Sequence, residues 1–344
     1  MYCKTQKEAT KAARSVGIAK DQGILITTPD QTIKTFLTAW LQDTAQHNLR
    51  PRTYIRYCEL IELHVLPTLG QVKLQKLLPQ QLQHLYNTKL EEGYAPQTVK
   101  HIHRVLHRAF NYAVRWNLIA RNICDAVDAP RVPKQEMQVL NAEQAQQFLA
   151  AAKGDSFEAL YVLALTTGAR EGELLGLKWE DLDLEHGRLH IKRTISRVPK
   201  QGFKVTEPKT PKSRRCIHLT ILAINALREH RIRQNEARLA AGSAWDNQGW
   251  IFCNGIGRPI EVGKMLGRSF RPILIKAGLP IIRFHDLRHS AASLLLSMNI
   301  HAKVVSEILG HSQISLTLDT YSHVLPSLQE AAMNQLNTLL SKDV

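Results

Sequence analysis

The sequence predicts a mainly α-helical protein with a small antiparallel β-sheet, and three observations lead to this fold class. Apolar residues recur at helical spacing through most of the 344 residues. Between Gly187 and Leu219 the pattern changes to shorter alternating segments rich in β-branched residues, which is typical of strands. The stretch Asp125–Val139 contains two prolines and five charged residues. It predicts a linker at residues 129–139 between two domains.

Composition and charge limit the class of function. The chain has 45 Lys+Arg and 30 Asp+Glu, a formal net charge of +15, and both halves are basic, with +9 over residues 1–135 and +6 over 136–344. A polyanionic partner is therefore expected, with nucleic acid ahead of a membrane surface, although a merely soluble basic protein has the same composition. The 44% apolar content excludes wholesale disorder.

Compartment signals indicate a reducing cytoplasm. The longest apolar run, Ala159–Ala169, is shorter than the roughly 20 residues of a bilayer span, so an integral membrane protein is excluded, and no membrane partner is expected. The N-terminus Met1–Lys20 is polar and lacks the apolar core of a signal peptide. The cysteines are dispersed without a CxxC pair, which predicts neither a disulfide framework nor a zinc finger. They are Cys3, Cys58, Cys124, Cys216 and Cys253.

The first half predicts four helices after a fragmentary lead at residues 1–28, in which only a short charged helix is expected over about Thr5–Ser15. We predict that residues 29–128 form the first domain and that it is helical throughout. Proline recurs in it at helix starts, and glycine or proline at helix ends. The expected helices begin near Pro29, run from Pro51 to Pro67 and Gly70, from Pro79 to Gly93, and from Pro96 to Asn117.

The fourth predicted helix has two distinct faces. Its apolar stripe is Val99, Ile102, Leu106, Phe110 and Ala113. The opposite face has basic residues and no carboxylate of its own: Lys100, His101, Arg104, His107, Arg108 and Arg115. A similar cluster, Arg50, Arg52 and Arg56, surrounds the start of the second helix. We predict that Arg50, Arg52, Arg56, Lys100, Arg104 and Arg108 contact DNA phosphates, the alternative being an ordinary solvated face.

Residues 140–344 form the second predicted domain. Asn141 with Gln144 is a capping-box pair, so helices are expected at about 142–153 and 156–167. The segments HIKRTISRV, FKVTEP and RRCIHL predict a three-stranded antiparallel sheet. From about residue 220 the pattern is helical again except at Trp245–Pro259.

Three motifs in this domain are informative when they are taken together. They are TTGAREGELLGLKW at Thr166–Trp179, HDLRH at His285–His289, and LGH ending at His311 with Tyr321 ten residues later. Singly, each has an ordinary explanation as surface charge, a core histidine or packing. In this order, Arg, His-x-x-Arg, His and Tyr, the chain resembles the tyrosine recombinases, and most closely the phage-type integrases, from about residue 29 onward.

The resemblance implies a two-domain architecture. Residues 29–128 would be a helical, SAM-like core DNA-binding domain, and residues 140–344 an α+β catalytic domain with a C-terminal helix. Together they would form a C-shaped clamp around DNA. Residues 1–28 look like the tail of an arm-type-site binding domain whose body is absent, and the sequence leaves open whether the N-terminus is truncated.

The chemistry of phosphodiester cleavage fits these residue types. Displacement at phosphorus builds negative charge on the non-bridging oxygens, and the planar fork of arginine suits Arg170 and Arg288 to that charge. His285 shares a helical face with Arg288, and His311 would supply another donor. Tyr321 is the expected nucleophile. With an ordinary pKa near 10 only about one part in a thousand is ionised at neutral pH, so neighbouring cations must favour the phenolate.

Two supporting residues complete the expected site. Glu173, one turn after Arg170, could orient its guanidinium. The segment PKTPKSRR at Pro208–Arg215 resembles the lysine-bearing hairpin of the family, which implies Lys209 as the general acid for the leaving 5′ oxygen. Spacing alone does not separate Lys209 from Lys212.

The resemblance also implies the reaction and its partners. Tyr321 would form a 3′-phosphotyrosyl link and release a 5′-hydroxyl, without a metal or nucleotide cofactor. The expected partners are double-stranded attachment sites and a homotetramer, with a directionality factor and a DNA-bending accessory protein as further candidates, in a bacterial or prophage context. A final apolar stripe would pack on its own domain or on a neighbouring protomer: Leu325, Leu328, Ala332, Leu336 and Leu339.

Three other functions are compatible with parts of the sequence. His285 and His289 have the i, i+4 spacing of zinc ligands, and His311 and His323 could complete a metallohydrolase site, but Arg288 beside them would repel a cation. A type IB topoisomerase would share the chemistry without recombination. A catalytically silent DNA-binding regulator is the third alternative, although all the expected functional residues are present.

Overall fold

The computed structural model describes residues 31–133, 137–199, 201–207, 214–311 and 313–320, together with 333–334, 336–338 and 340–341. These residues are mostly helical with two small antiparallel sheets, which confirms the expected fold class. The chain divides into two compact units, Met1–Gln135 and Glu136–Val344. Within the described ranges, no helix has the length and apolarity needed to cross a bilayer. The helix expected at Thr5–Ser15 and the helix start at Pro29 lie outside the described residues.

In residues 31–133, the described part of the first unit, the regular elements are helices. They are α1 (Ile33–Trp40), α2 (Gln46–Asn48), α3 (Pro51–Leu60), α4 (Leu66–Leu69), α5 (Pro79–Glu91) and α6 (Pro96–Arg115). π-helical turns at Leu41–Ala45 and Ile61–Val65 join α1 to α2 and α3 to α4. Short 3₁₀ turns lie at Leu74–Lys76 and Ile123–Ala126. The core of this unit forms around Trp40.

Helix α6 carries the expected apolar stripe, and all five of its predicted members are buried. The helix ends at Arg115 because Asn117 adopts a left-handed φ of +55°. The helix itself carries no carboxylate, but one approaches its basic face from a neighbouring turn. Asp125, in the 3₁₀ turn that folds back onto α6, lies 2.9 Å from His107 Nε2. Asn122 fixes that turn by donating to the His107 carbonyl at 2.9 Å.

Pro67 does not end the second helix as expected. In the π-helical turn before it, the Leu66 amide donates to the carbonyl of Ile61, five residues back. The regular i→i−4 pattern is therefore already interrupted where proline has no N–H to donate, so the chain continues as α4 to Leu69. The same arrangement recurs in the second unit, where a π-helical turn at Leu266–Phe270 precedes Pro272.

The helices of the second unit surround a core in which Phe148, Tyr161, Phe270 and Phe284 pack ring against ring. They are α7 (Ala142–Ala151), α8 (Glu158–Thr167), α9 (Glu171–Leu175), α10 (Ile221–Ala241), α11 (Val262–Met265), α12 (Arg271–Lys276), α13 (Asp286–Ser297), α14 (Ala302–Leu309) and α15 (Ser315–Thr320). The capping box is confirmed, because Asn141 and Gln144 exchange hydrogen bonds of 2.8 and 3.1 Å.

Four of the described strands lie within the stretch Gly187–Leu219 where strands were expected, whereas the strand at Leu182–Asp183 precedes it and was not predicted, and the pairing also differs from the prediction. The strands are β1 (Leu182–Asp183), β2 (Arg188–Ile191), β3 (Thr194–Val198), β4 (Gly202–Thr206) and β5 (Arg215–His218). A three-stranded sheet has the order β1-β2-β5, with Ile191 opposite Arg215, whereas β3 and β4 form a separate two-stranded sheet. The segment HIKRTISRV is thus two strands. Arg193, at the break, turns to pair with the buried Asp181 and with Glu180 at 2.7 Å.

Candidate active site

The site forms where the ends of α8 and α14 meet the start of α13. Gly168 terminates α8 with a left-handed φ of +58°, and its carbonyl accepts a 2.7 Å hydrogen bond from Arg288 Nη1. A Cβ at residue 168 would lie only 2.5 Å from Leu309 Cδ2, so the close approach of these helices requires glycine here. The Arg288 side chain is therefore buried directly beneath the turn that leads to Arg170.

Arg170 caps α9 and is oriented by Glu173. The Arg170 amide donates to Glu173 Oε2 at 3.0 Å, and Arg170 Nη1 donates to Oε1 at 2.8 Å. Arg170 Nη2 reaches the carbonyl of Gly310 at 3.4 Å. Glu173 is 4% exposed whereas the Arg170 side chain is 40% exposed. The buried carboxylate therefore holds the guanidinium on its inner side, and the outer side is accessible to solvent.

Helix α9 lies directly on strand β3 through glycine. A Cβ at Gly172 would lie 2.6 Å from Thr194 Oγ1 and 2.8 Å from the carbonyl oxygen of Ile195. At Gly176 the nearest backbone atom of the same strand would be 3.2 Å away. These two glycines of the motif TTGAREGELLGLKW therefore set the distance between the helix that carries Arg170 and the adjacent hairpin.

His311 is placed by a glycine turn at the end of α14. Gly310 has a left-handed φ of +66°, its amide bonds to the Glu307 carbonyl, and the His311 amide bonds to the Ser306 carbonyl, both at 3.0 Å. This is a Schellman ending. His311 Nδ1 lies 2.7 Å from the hydroxyl of the buried Thr317 in α15. The second ring nitrogen, Nε2, is then the atom that could contact a phosphate.

Arg215 is a further cation in this region that the sequence analysis did not single out. Its Nε donates to the carbonyl of Ile308 at 2.6 Å, and its Nη2 donates to Glu173 Oε2 at 3.0 Å. The available signal was strand alternation. Arg215 shares a face of β5 with Ile217, which is a buried core residue, so the arginine must also point inward.

Electrostatic coupling shows that these groups converge. Burial, and then the positive charges of Arg288 and Arg170, lower the pKa of His311 to about 4. Desolvation and the same two arginines also lower the pKa of His285. Burial would raise the pKa of Glu173, but Arg215 and the Arg170 amide outweigh it and lower the pKa overall. The carboxylate is therefore ionised among cations, and the histidines are neutral at neutral pH.

His285 directly precedes α13 and packs edge-on against His289, with ring centroids 5.0 Å apart. Burial, and then the interaction with His285, lower the pKa of His289 to about 4. In the part of the chain that the structure describes, no three His, Cys, Asp or Glu side chains group in a way that could hold a metal ion. The metal-ligand set considered for the metallohydrolase alternative includes His323, which lies outside the described residues.

The structure thus brings together five of the predicted site residues: Arg170, Glu173, His285, Arg288 and His311. Lys209 and Tyr321 lie outside the described residues. A cavity of about 460 Å³ borders His311 and Arg215. A larger one of about 590 Å³, lined by Asp155 and Phe203 among others, contains none of the predicted site residues.

In the first unit, the two predicted DNA-contact clusters are neighbours. Desolvation, and then the charges of Arg104 and Arg56, lower the pKa of His101, so side chains from α3 and α6 share one basic surface. Arg56 also pairs with Glu59 at 3.3 Å, and this carboxylate reduces the net positive charge of the surface. Arg50 and Arg52 are exposed at the start of α3, and Lys100, Arg104 and Arg108 lie on the solvent side of α6.

Comparisons of the sequence with known proteins cover both units. The model described as the phage integrase family matches residues 138–327, and that described as the phage integrase N-terminal SAM-like domain matches residues 32–90. A tyrosine recombinase XerC-like protein of Caldanaerobacter subterraneus subsp. tengcongensis is 33% identical over 356 residues, covering 98% of this chain and 91% of the relative. The ICEBs1 integrase of Bacillus subtilis is 26% identical, covering 85% and 79%.

Solved structures share the fold. The integrase of transposon Tn1549, in complex with a circular intermediate DNA, superposes with a TM-score of 0.74 and 22% identity over 89% of this chain and 99% of that one. A lambda integrase tetramer bound to a Holliday junction gives a TM-score of 0.60 and 20% identity over 91% and 89%.

Proposed function

Because the chain belongs to the phage integrase family and is a tyrosine-type site-specific DNA recombinase, we propose that the arginines and histidines described above bind the scissile phosphate while Tyr321 attacks it. The observation that carries this assignment is the convergence of Arg170, Arg288 and His311, which come from three separate sequence motifs. Arg170 and Arg288 act as donors to the non-bridging oxygens, where charge develops in the transition state. His285 and His311 donate from neutral rings.

The reaction is a transesterification. The Tyr321 phenolic oxygen forms a bond to phosphorus while the bond from phosphorus to the 5′ oxygen breaks. The product is a 3′-phosphotyrosyl link, and the leaving oxygen takes a proton to become a 5′-hydroxyl. Attack by the 5′-hydroxyl of a partner strand reverses the step and joins the exchanged strands. The phosphodiester energy is retained in the tyrosyl link, so no nucleotide is consumed.

The roles of Tyr321 and Lys209 are supported by the described elements that lie next to them in the sequence. Tyr321 directly follows α15, and α15 is tied to His311 through the Thr317 hydroxyl. Lys209 lies between β4 and β5, and β5 begins with Arg215, which contacts Glu173. Both residues are thus close in sequence to elements that carry residues of the site. Lys209 donates the proton to the leaving oxygen, and the surrounding cations favour the Tyr321 phenolate.

The DNA substrate is a pair of double-stranded attachment sites, bound through the basic surface of α3 and α6 and through the catalytic unit. Four protomers assemble for strand exchange, in the integration or excision of a mobile element. The net charge of +15 supports this polyanionic substrate. The Tn1549 and lambda neighbours, described as bound to DNA and, for lambda, as a tetramer on a Holliday junction, have the same fold and support the assembly as a hypothesis.

A nicked half-site DNA tests the chemistry. Cleavage near the nick releases a short strand that diffuses away, so the covalent complex accumulates and is seen by denaturing electrophoresis. We expect an adduct with the parent chain in excess chelator and none with Tyr321→Phe, which should still bind the DNA. Replacing Arg170 or Arg288 should lower the rate of adduct formation by about 10²–10³-fold.

Two controls make the result decisive. Tyr54→Phe removes a phenol from the other unit and should leave the adduct unchanged. Paired attachment sites must recombine, because relaxation of supercoiled DNA alone would indicate a topoisomerase. An undiminished adduct with Tyr321→Phe would show that another residue is the nucleophile.

A further inference from the structure

Arg215 occupies an unusual place for an arginine on a short strand. It opens β5, yet its side chain is only 7% exposed and points into the catalytic unit. Its guanidinium reaches two elements that are distant in sequence, the Glu173 carboxylate in α9 and the Ile308 carbonyl in the last turn of α14. The proposed reaction assigns no role to it.

We propose that Arg215 is a positioning residue for the recombination chemistry, which keeps Arg170 and His311 aligned on one phosphate by holding Glu173 and the Ile308 carbonyl at the same time. This inference rests on the proposed function of those two groups. Arg215 itself does not touch the DNA, and it acts only through the residues that do.

The contact with Glu173 fixes the orientation of Arg170. Glu173 uses Oε1 for Arg170 Nη1, and it uses Oε2 for both the Arg170 amide and Arg215 Nη2. Because the carboxylate is 4% exposed, water cannot readily replace a missing partner there. Without Arg215 the carboxylate would reorient toward its remaining cation, and the Arg170 guanidinium would turn with it.

The contact with Ile308 fixes the turn that carries His311. The carbonyl of Ile308 lies three residues before His311, and the intervening Gly310 rests against the same guanidinium. A Cβ on Gly310 would lie 2.7 Å from Arg215 Nη1 and 3.0 Å from Cζ. The turn is therefore in direct contact with Arg215. Movement of this guanidinium would displace His311 together with the backbone before it.

Arginine is suited to this double contact in a way that lysine is not. The planar fork presents Nε and Nη2 in fixed directions, so one side chain can address a carbonyl and a carboxylate simultaneously. A lysine ammonium keeps the charge but not that geometry. Arg215→Lys should therefore preserve the ion pair with Glu173 and only partly restore alignment.

A competing role would be placement of Lys209, which lies six residues before Arg215 in the sequence. Chemically modified substrates separate the two roles. In a 5′-bridging phosphorothiolate, sulfur replaces the leaving oxygen, and a thiolate departs without a general acid. In a methylphosphonate, a methyl group replaces one non-bridging oxygen, so less negative charge develops for the cations to stabilise.

The experiment measures adduct formation by the full chain on one nicked half-site carrying each of the three linkages. With the ordinary phosphodiester, Arg215→Gln should react about 100-fold slower than the parent, as expected for misplacement of donors by about 1 Å. The defect should shrink to less than about 10-fold on the methylphosphonate and should remain about 100-fold on the phosphorothiolate. Arg215→Lys should lie between Arg215→Gln and the parent.

Each other outcome overturns the proposal. Full rescue on the phosphorothiolate would mean that Arg215 serves the general acid, and an equal defect on phosphodiester and methylphosphonate would mean a purely structural role. Parent-like rates of both variants would leave Arg215 with no role in the reaction. Should Arg215→Gln fail to fold, Arg215→Lys provides the same comparison. No adduct with the parent chain would instead contradict the proposed function itself.

A matched control removes the same charge elsewhere. Arg238 is exposed near the end of α10, and Arg238→Gln should react as the parent does on all three linkages. DNA affinity and the thermal midpoint of every variant are measured alongside. Unchanged affinity for Arg215→Gln is expected, because its buried guanidinium is not a phosphate contact.

Discussion

His311 joins the proposed chemistry to the pH dependence of stability. Its ring is half-buried, and guanidinium groups lie near it. Burial, and then the charges of those groups, lower the pKa of His311 from an ordinary value near 6.5 to about 4. Between these values the unfolded chain binds a proton at this residue and the folded chain does not. Folding is therefore opposed as the pH falls through this window, and the full stability is present only above about pH 6.5.

We predict that replacement of His311 flattens this pH dependence. The unfolding free energy of the parent should fall as the pH decreases from 6.5 to 4, and His311→Gln should fall less steeply. The difference in slope is at most about 1.4 kcal/mol per pH unit, reduced by solvent screening of the half-buried ring. Urea unfolding at a series of pH values measures it. Parallel curves for the two proteins would contradict the assigned pKa.

His47 offers the comparison for that measurement. It is an exposed histidine in α2 of the other unit, so His47→Gln makes the same substitution away from the candidate site. His289 also has a pKa of about 4, so part of the acid sensitivity should persist in His311→Gln.

Helix α9 shows how a short element can control a catalytic side chain. It has five residues, it begins directly after Arg170, and it touches β3 through the missing side chain of Gly172. Its position relative to the hairpin is thus set by backbone contact rather than by interdigitating side chains.

Gly172→Ala should therefore damage activity more than its small size suggests. The added Cβ would lie 2.6 Å from Thr194 Oγ1, so α9 must move away from β3 and carry Arg170 with it. We expect a loss of stability of about 1–3 kcal/mol and a decrease in adduct formation of about 100-fold. Gly263→Ala, in a helix with open space around the new Cβ, is the control. Equal rates for both variants would refute this role of α9.

The elements also show how far sequence reasoning reached. The faces of α6 and the capping box at Asn141 follow from local periodicity and local hydrogen bonds, so the sequence alone predicted them. The break between β2 and β3 lies where Arg193 pairs with Asp181, an interaction that no alternation pattern contains. The prediction that Pro67 ends the second helix was wrong for a similar reason, because no characteristic residue pattern reveals a π-helical turn in a sequence.

The candidate site was predicted to a similar extent. Arg170, His285, Arg288 and His311 belong to recognisable motifs, and the structure brings them together. The Arg215 side chain was missed because its importance lies in two partners, Glu173 and the Ile308 carbonyl, that are far away in the sequence. Inward-facing charge on a strand was its only local sign.

For the whole molecule, charge is the property that most directly concerns DNA. A net charge of +15 produces a long-range attraction to any polyanion, whereas specific phosphate contacts are local. The basic surface of α3 and α6 is the candidate for such contacts, although Glu59 pairs with Arg56 there and Asp125 lies against His107.

Salt dependence separates local phosphate binding from overall charge. The variant with Lys100, Arg104 and Arg108 all changed to alanine should bind DNA more weakly. Its slope of log affinity against log salt should decrease by about 0.9 for each phosphate that is no longer neutralised, or about 2.7 for three. The charge-matched control changes Arg228, Arg231 and Arg238 of α10 to alanine. An equal decrease in that control would assign the effect to net charge rather than to this surface.

The guanidinium groups of the catalytic unit have a consequence for how related sequences should be interpreted. Arg288, Arg170 and Arg215 each bond to a main-chain carbonyl, at Gly168, Gly310 and Ile308 respectively. These arginines therefore stabilise the fold and are also candidates for roles in the reaction. A descendant that abandoned DNA breakage would still need them to keep its turns together. In such a lineage, retained arginines would indicate only that the fold is preserved. Retention of the tyrosine would be needed to indicate that the reaction is preserved.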